Sequence, residues 1–261
     1  MKLVWTAIVV VVALAMGAVV AVTVFPDRIG GYLPGWLQPQ QVGGGPQVVL
    51  ELEPDGVELA QGLEDSVRII ERRLNDLGAR SLLRIQDNRI VVELPRSVNV
   101  NHAIEVATRR GKLQLRLVDQ TMTPEQAMRE GAPVGSEVLY GRSDKTPYLV
   151  EKRVILSGRD LVDAQAAFDQ RTNEPVITFK FNTAGTRRFA QVTQENVGRP
   201  FAIVIDNAVV SAPVIREPIL GGSGQISGSF TAQEANDLAI LLRAGELPGR
   251  LKVIEIKPPA P

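Results

Sequence analysis

From Leu3 to Phe25 the chain reads LVWTAIVVVVALAMGAVVAVTVF, without a single charge. As a helix this stretch rises about 35 Å, enough to cross a hydrocarbon layer of about 30 Å. A cleaved signal peptide has a shorter apolar region, roughly 7–15 residues, followed by a small-x-small site. Here the run is longer, and it ends in Thr23-Val24-Phe25-Pro26, a poor cleavage site. The expectation is an uncleaved transmembrane anchor over residues 1–25. Lys2 and the amino terminus precede the span, and Asp27 and Arg28 follow it. A positive N-terminal flank favours a cytoplasmic N-terminus and an exported body. Later apolar runs are broken by Arg, Glu, Gly or Pro within a few residues, which predicts a single-pass protein.

Residues 26–46 are rich in Gly, Pro and Gln, a flexible-linker composition. Folded sequence is expected from Gln47. Val48–Glu53 reads as a strand, and Pro54-Asp55-Gly56 as a turn in which Asp55 can cap the next helix. In that helix Leu59, Leu63, Val67, Ile70, Leu74 and Leu77 form one apolar stripe, with Arg68, Glu71, Arg72 and Arg73 off it. Gly78 suits its C-terminal stop. Ser81–Ile85 and Arg89–Leu94 flank Asp87-Asn88, a hairpin signal. Asn99–Arg110 reads as a second helix and Lys112–Val118 as a strand. Strand, helix, strand, strand, helix, strand is the split βαβ, ferredoxin-like order. Asp119–Tyr148 breaks the rhythm, with at most one short helix. Strands are then expected at Asp163–Phe168, Val176–Phe181, Phe201–Ile205 and Val209–Pro213, and a helix over Gly185–Asn196. Thr231 and Glu234 form a capping box opening a last helix, and Leu251–Ile256 is a final strand.

The chemistry search is short. Lys and Arg number 29 against 29 Asp and Glu, so no broad basic face for nucleic acid is expected. There is no Cys and only one His, which excludes thiolate and multi-histidine metal sites. Gly221–Gly228 (GGSGQISG) lacks the spacing of a dinucleotide loop and the Lys of a P-loop, so a loop leading into a strand is expected. Gly222-Ser223-Gly224 is not a nucleophile elbow. His102 has no nucleophile or orienting carboxylate near it in sequence, which favours a surface or capping role. Asp160, Asp163 and Asp169 lack a calcium-loop pattern and read as a solvated edge. Arg187-Arg188 and Arg109-Arg110-Gly111-Lys112 read as solvated basic helix faces. No catalytic, cofactor-binding or metal residue is nominated, and no cofactor or enzyme activity is expected.

The second half carries a resemblance. Leu156-Ser157-Gly158-Arg159-Asp160-Leu161, Glu174-Pro175-Val176 and Phe189–Gly198 are similar to the exported domain of the SecD/SecF protein-export family. The match tightens over Ala202–Pro248, with Asp206, Ser211-Ala212-Pro213, Gly221-Gly222, Ile226–Phe230 and Leu242-Arg243-Ala244-Gly245-Glu246-Leu247-Pro248 in the family's ordered places. Glu93-Leu94-Pro95 extends it into the first half.

The resemblance implies an α+β fold: an N-terminal transmembrane helix, then a ferredoxin-like base (47–118) with an inserted α+β head subdomain (119–248), and a return strand of the base and tail (249–261). It also implies a movable head, inner-membrane location with a periplasmic or otherwise extracytoplasmic main domain, and capture of exported polypeptide. Family members continue into five further spans that hold acidic proton-path residues. No later span is visible here, so the expected role is an accessory of Sec-dependent translocation. Its expected partners are the membrane, unfolded exported polypeptides, and Sec translocon subunits or a separate multi-span SecD/SecF-like protein. No polypeptide-binding residue can be named from sequence. The rival expectation is an envelope structural or regulatory module with the same fold.

Overall fold

The computed structural model describes residues 44–259. The anchor over 1–25 and most of the linker lie outside these residues. Among the described residues no helix is long and apolar enough to cross a membrane. In chain order the elements are β1 (Gly44–Pro54), α1 (Leu59–Asp76), β2 (Leu82–Gln86), β3 (Arg89–Pro95), α2 (Val100–Thr108), β4 (Leu113–Leu117), α3 (Pro124–Glu130), β5 (Ser136–Gly141), β6 (Pro147–Glu151), β7 (Leu156–Ser157), β8 (Leu161–Phe168), β9 (Pro175–Phe181), α4 (Thr183–Glu195), β10 (Phe201–Ile205), β11 (Ala208–Ser211), β12 (Ser223–Ile226), α5 (Ala232–Ala244) and β13 (Gly249–Lys257).

The base is a four-stranded antiparallel sheet in the order β13-β1-β3-β2, the arrangement of a split βαβ fold. Its helix-facing residues alternate as a half-buried sheet requires: Val48, Leu50 and Leu52 on β1 meet Ile90, Val92 and Leu94 on β3 under Leu63, Ile70 and Leu74 of α1. Asp87 and Asn88 both take positive φ, 51° and 57°, the conformation of a two-residue hairpin turn matched to strand twist. Three local expectations change. The strand begins at Gly44, before the expected Gln47. Asp55 does not cap α1; Glu58 precedes the helix and makes no side-chain cap. Most consequentially, Leu113–Leu117 does not complete the base. That place is taken by β13, which pairs with β1 from Gln47↔Lys257 to Pro54↔Gly249, so the insertion starts before β4.

The head holds two sheets. The larger is ordered β6-β5-β11-β10-β4-β7, antiparallel except for the β11–β5 pair. It curls on itself: Val118, just past β4, bridges to Val150 on β6, and the Asp119 N–H donates to the Leu149 carbonyl at 2.9 Å. Ser136–Gly141 is therefore a strand inside the stretch expected to lack one. The smaller sheet, β12-β9-β8, packs with α4 and α5. Aromatic rings join the layers in series. Phe179 and Phe181 on β9 are 5.0 Å apart, Phe181 lies 5.3 Å from Phe189 on α4, and Phe189 lies 6.0 Å from Phe201 on β10. The free edge of β8 is closed at its centre, because Asp163 accepts from the Ala164 N–H and Arg243 donates to the Ala164 carbonyl. All described residues fall within one compact unit.

Phe189 is buried at the middle of this ring series. Phe189→Ala is expected to destabilise the chain by about 3–5 kcal/mol in urea titration. Val134→Ala, at a fully exposed side chain, is expected to shift stability by less than about 0.5 kcal/mol. Comparable losses at the two positions would contradict this core.

Candidate functional site: the joint between base and head

The chain crosses between base and head twice, at Arg109–Lys112 and at Gly245–Pro248. Both crossings follow a helix C-terminus, α2 in the first case and α5 in the second. A helix C-terminus exposes unpaired carbonyls and partial negative charge. One guanidinium answers both. Arg73 on α1 is fully buried, with no exposed surface. Its Nη1 donates to the carbonyls of Val106 and Ala107, each at 3.2 Å, and to that of Arg109. Its Nη2 donates to Arg110 O at 3.1 Å and Gly245 O at 2.7 Å. Burial lowers the Arg73 pKa to about 9 while Asp206 pulls it upward, so the group is charged at neutral pH. Gly111 must be glycine here. Its φ is +74°, and a Cβ would stand 2.9 Å from Arg73 Nη2.

The crossings also bind each other. Leu247 N–H donates to Arg110 O at 2.9 Å, and Asp55 N–H donates to Pro248 O at 3.0 Å. The Asp206 carboxylate, on the β10–β11 turn, accepts from Lys112 N at 2.8 Å and Gly111 N at 3.3 Å. Around this centre runs a more exposed set of ion pairs. Arg110 reaches Asp55 at 2.6 Å and Glu246 at 3.0 Å, Arg243 reaches Asp76 at 2.9 Å, and His102 Nε2 lies 2.9 Å from Asp237 Oδ2. Beside the joint lies a cleft of about 380 Å³ between α1 and the head, with Val57, Ile69, Arg72, Arg159 and Leu247 in its walls.

The residues singled out in the sequence fall differently. His102 is half-buried and ties α2 of the base to α5 of the head, a contact with no trace in local sequence. Asp160 is buried and accepts from Ser157 N–H at 2.9 Å, whereas its partner Arg188 stays exposed on α4. Asp163 caps the β8 edge, and Asp169 accepts from Gln225 at 2.9 Å. The structure does not bring the three aspartates together. No group of ligating side chains suited to a metal occurs among the described residues. Gly221–Gly228 includes edge strand β12, where a Cβ on Gly224 would meet the Phe179 ring at 2.5 Å. Arg109 is lowered by burial first and by neighbouring Arg142 second, whereas Arg110 is raised by its bond to Asp55. A charge beside an apolar stripe reads as surface, so local sequence gives Arg73 no role. The missed signal is a second row, Ser66, Ile70 and Arg73, all fully buried.

Residues 136–249 match the family model for the SecDF P1 head subdomain. A solved structure described as a membrane component SecDF that enhances protein export is 35% identical, with a TM-score of 0.64; the match covers 80% of this chain and 98% of that one. The chain belongs to the SecD family. SecDF in a super-membrane-facing form also matches, at 34% identity and a TM-score of 0.68, over 85% of this chain and 32% of that chain. Among curated relatives, the protein translocase subunit SecD of Rickettsia bellii is 40% identical over 196 residues, 74% of this chain and 38% of its own. That of Acetobacter pasteurianus is 41% identical over 212 residues, 80% of this chain and 40% of its own. The chain thus spans about two fifths of the length of these SecD relatives. Part of the SecD resemblance falls at the joint and in the head core: Asp206 holds the first crossing, Leu242 and Leu247 are buried, and Gly245 O faces Arg73.

The bond from Arg110 holds the Asp55 carboxyl below the usual carboxylate range. A depressed native value contributes stability above the unfolded value of about 3.9, and that stability is lost as pH falls through the native value. Carboxyl-carbon titration is expected to place the Asp55 midpoint below about 3.9, and to move it back up in Arg110→Ala. Identical midpoints in the two proteins would contradict the pairing.

Proposed function

We propose that this chain is a membrane-anchored SecD-type accessory of Sec-dependent protein translocation whose extracytoplasmic body binds polypeptide in transit. The observation that carries the proposal is the near-complete coverage, 98%, of a solved SecDF chain by this chain at 35% identity. The curated relatives are named as protein translocase subunits. The uncharged run from Leu3 to Phe25, with Lys2 before it, supports an inner-membrane tether with the body outside the cytoplasm. Partners in this reading are Sec translocon subunits or a separate multi-span SecD/SecF-like protein. The chain acts by holding, not by bond chemistry.

The grip has a physical form. Transit requires weak, sequence-tolerant contact. Val162 and Phe168 on β8 expose 57% and 58% of their surface. The edge groups of Ala164 are already occupied, so apolar side-chain contact suits this strand better than strand addition.

Two measurements test the reading. Arg129→Cys, on the head, is expected to react with a membrane-impermeant maleimide in intact spheroplasts; reaction only after lysis would place the body in the cytosol and overturn it. A photoreactive side chain at Phe168 is expected to crosslink a stalled export substrate, with Glu51 on the base giving no adduct. Absence of adducts from Phe168, or equal yields at both positions, would refute polypeptide capture by the head.

A further inference from the structure

We infer that the cleft beside the joint is a binding site for a phosphate monoester, gripped by Arg72 of the base and Arg159 of the head. The cleft measures about 380 Å³, within the range of small-ligand sites. Its walls carry four arginines against three carboxylates. The carboxylates are already committed. Asp65 pairs with Arg68, while Asp55 and Glu246 both pair with Arg110, at 2.6 and 3.0 Å. Two guanidinium groups are left over. Among the described residues, neither the Arg72 nor the Arg159 side chain makes a hydrogen bond or an ion pair. Arg72 stands on α1, and Arg159 is the middle residue of the turn Gly158–Asp160 between β7 and β8. The next residue, Asp160, is held by the Ser157 N–H and by Arg188, so Arg159 is the uncommitted charge of that turn.

Two free forks in one cleft select the anion. A guanidinium matches a carboxylate or a phosphate through paired hydrogen bonds. A carboxylate has two oxygens, and one fork fills both. A phosphate monoester offers three terminal oxygens and a charge of about −1.5 to −2 near neutral pH. It can therefore accept from both arginines and balance both charges. Val57 and Ile69 in the same walls give apolar surface to a short stem. Because the two arginines stand on different bodies, a phosphate held by both favours the arrangement seen here over one that parts them. The same chemistry is offered by a soluble phosphate monoester and by the headgroup of phosphatidic acid.

The test uses the full chain in phosphatidylcholine nanodiscs, titrated calorimetrically with glycerol 3-phosphate. In parallel, mass spectrometry counts the phosphatidic acid retained by chain released from nanodiscs that contain it. Saturable binding of glycerol 3-phosphate assigns the site to a soluble monoester. Retention of one phosphatidic acid without such binding assigns it to the lipid headgroup. Either signal is expected to fall about tenfold or more in Arg72→Gln and in Arg159→Gln. Both side chains are exposed, so these variants keep the fold. Arg129→Gln removes a charge from α3, away from the cleft, and is expected to change neither signal. Glycerate, with a carboxylate in place of the phosphate, is expected to bind about tenfold more weakly than glycerol 3-phosphate, or less. Absence of both signals, survival of the signal when both arginines are replaced, an equal loss in Arg129→Gln, or glycerate binding as tightly as the phosphate overturns the inference.

Discussion

Pairing of β13 with β1 is the constraint on which the rest of this fold depends. It joins Pro54 to Gly249 and Gln47 to Lys257, the two ends of the described chain. Closing so long a loop costs only a little more than closing a shorter one, since the entropy grows with the logarithm of length. The return strand therefore completes the base while everything from β4 to α5 becomes an insertion. The head must leave and re-enter at one place, and the joint at Arg73 follows from that topology. Two helices end where the chain crosses, and Arg73 of α1 donates to carbonyls at both ends.

Much of this was legible residue by residue. The Asp87-Asn88 turn, the α1 stripe and the Thr231/Glu234 capping box all stand where local rules place them. Local rules fail where partner choice decides. Leu113, Leu115 and Leu117 alternate as any half-buried strand does, and alternation carries no address; the strand pairs with Phe201–Ile205 in the head rather than with β1. Ser136–Gly141 is short, with Glu137 and Gly141 blurring its period, and is a strand because β6 and β11 flank it. Asp55 has the composition of a helix cap but is drawn to Arg110, an ion pair made across 55 residues of chain. The candidate joint was least legible of all, because it is assembled from Arg73, Arg110, Gly245 and Asp206, four residues that meet only in the folded chain.

The same geometry bears on what the chain does. Its buried charges are spent on shape: Arg73 on helix ends, Arg116 on the Glu151 carbonyl and Glu137, Asp160 on Ser157 and Arg188. Exposed apolar residues occur on both bodies, Val162 and Phe168 on the head and Leu82, Ile85, Ile254 and Ile256 on the base.

The central claim is that β13, and not β4, lies beside β1 in the base sheet. Because the sequence has no cysteine, a single pair of spin labels reports it without ambiguity. Labels at Glu51→Cys on β1 and Lys252→Cys on β13, facing residues in that pairing, are predicted to show strong dipolar broadening in continuous-wave spectra recorded in nanodiscs. Spectra without dipolar broadening would contradict the account.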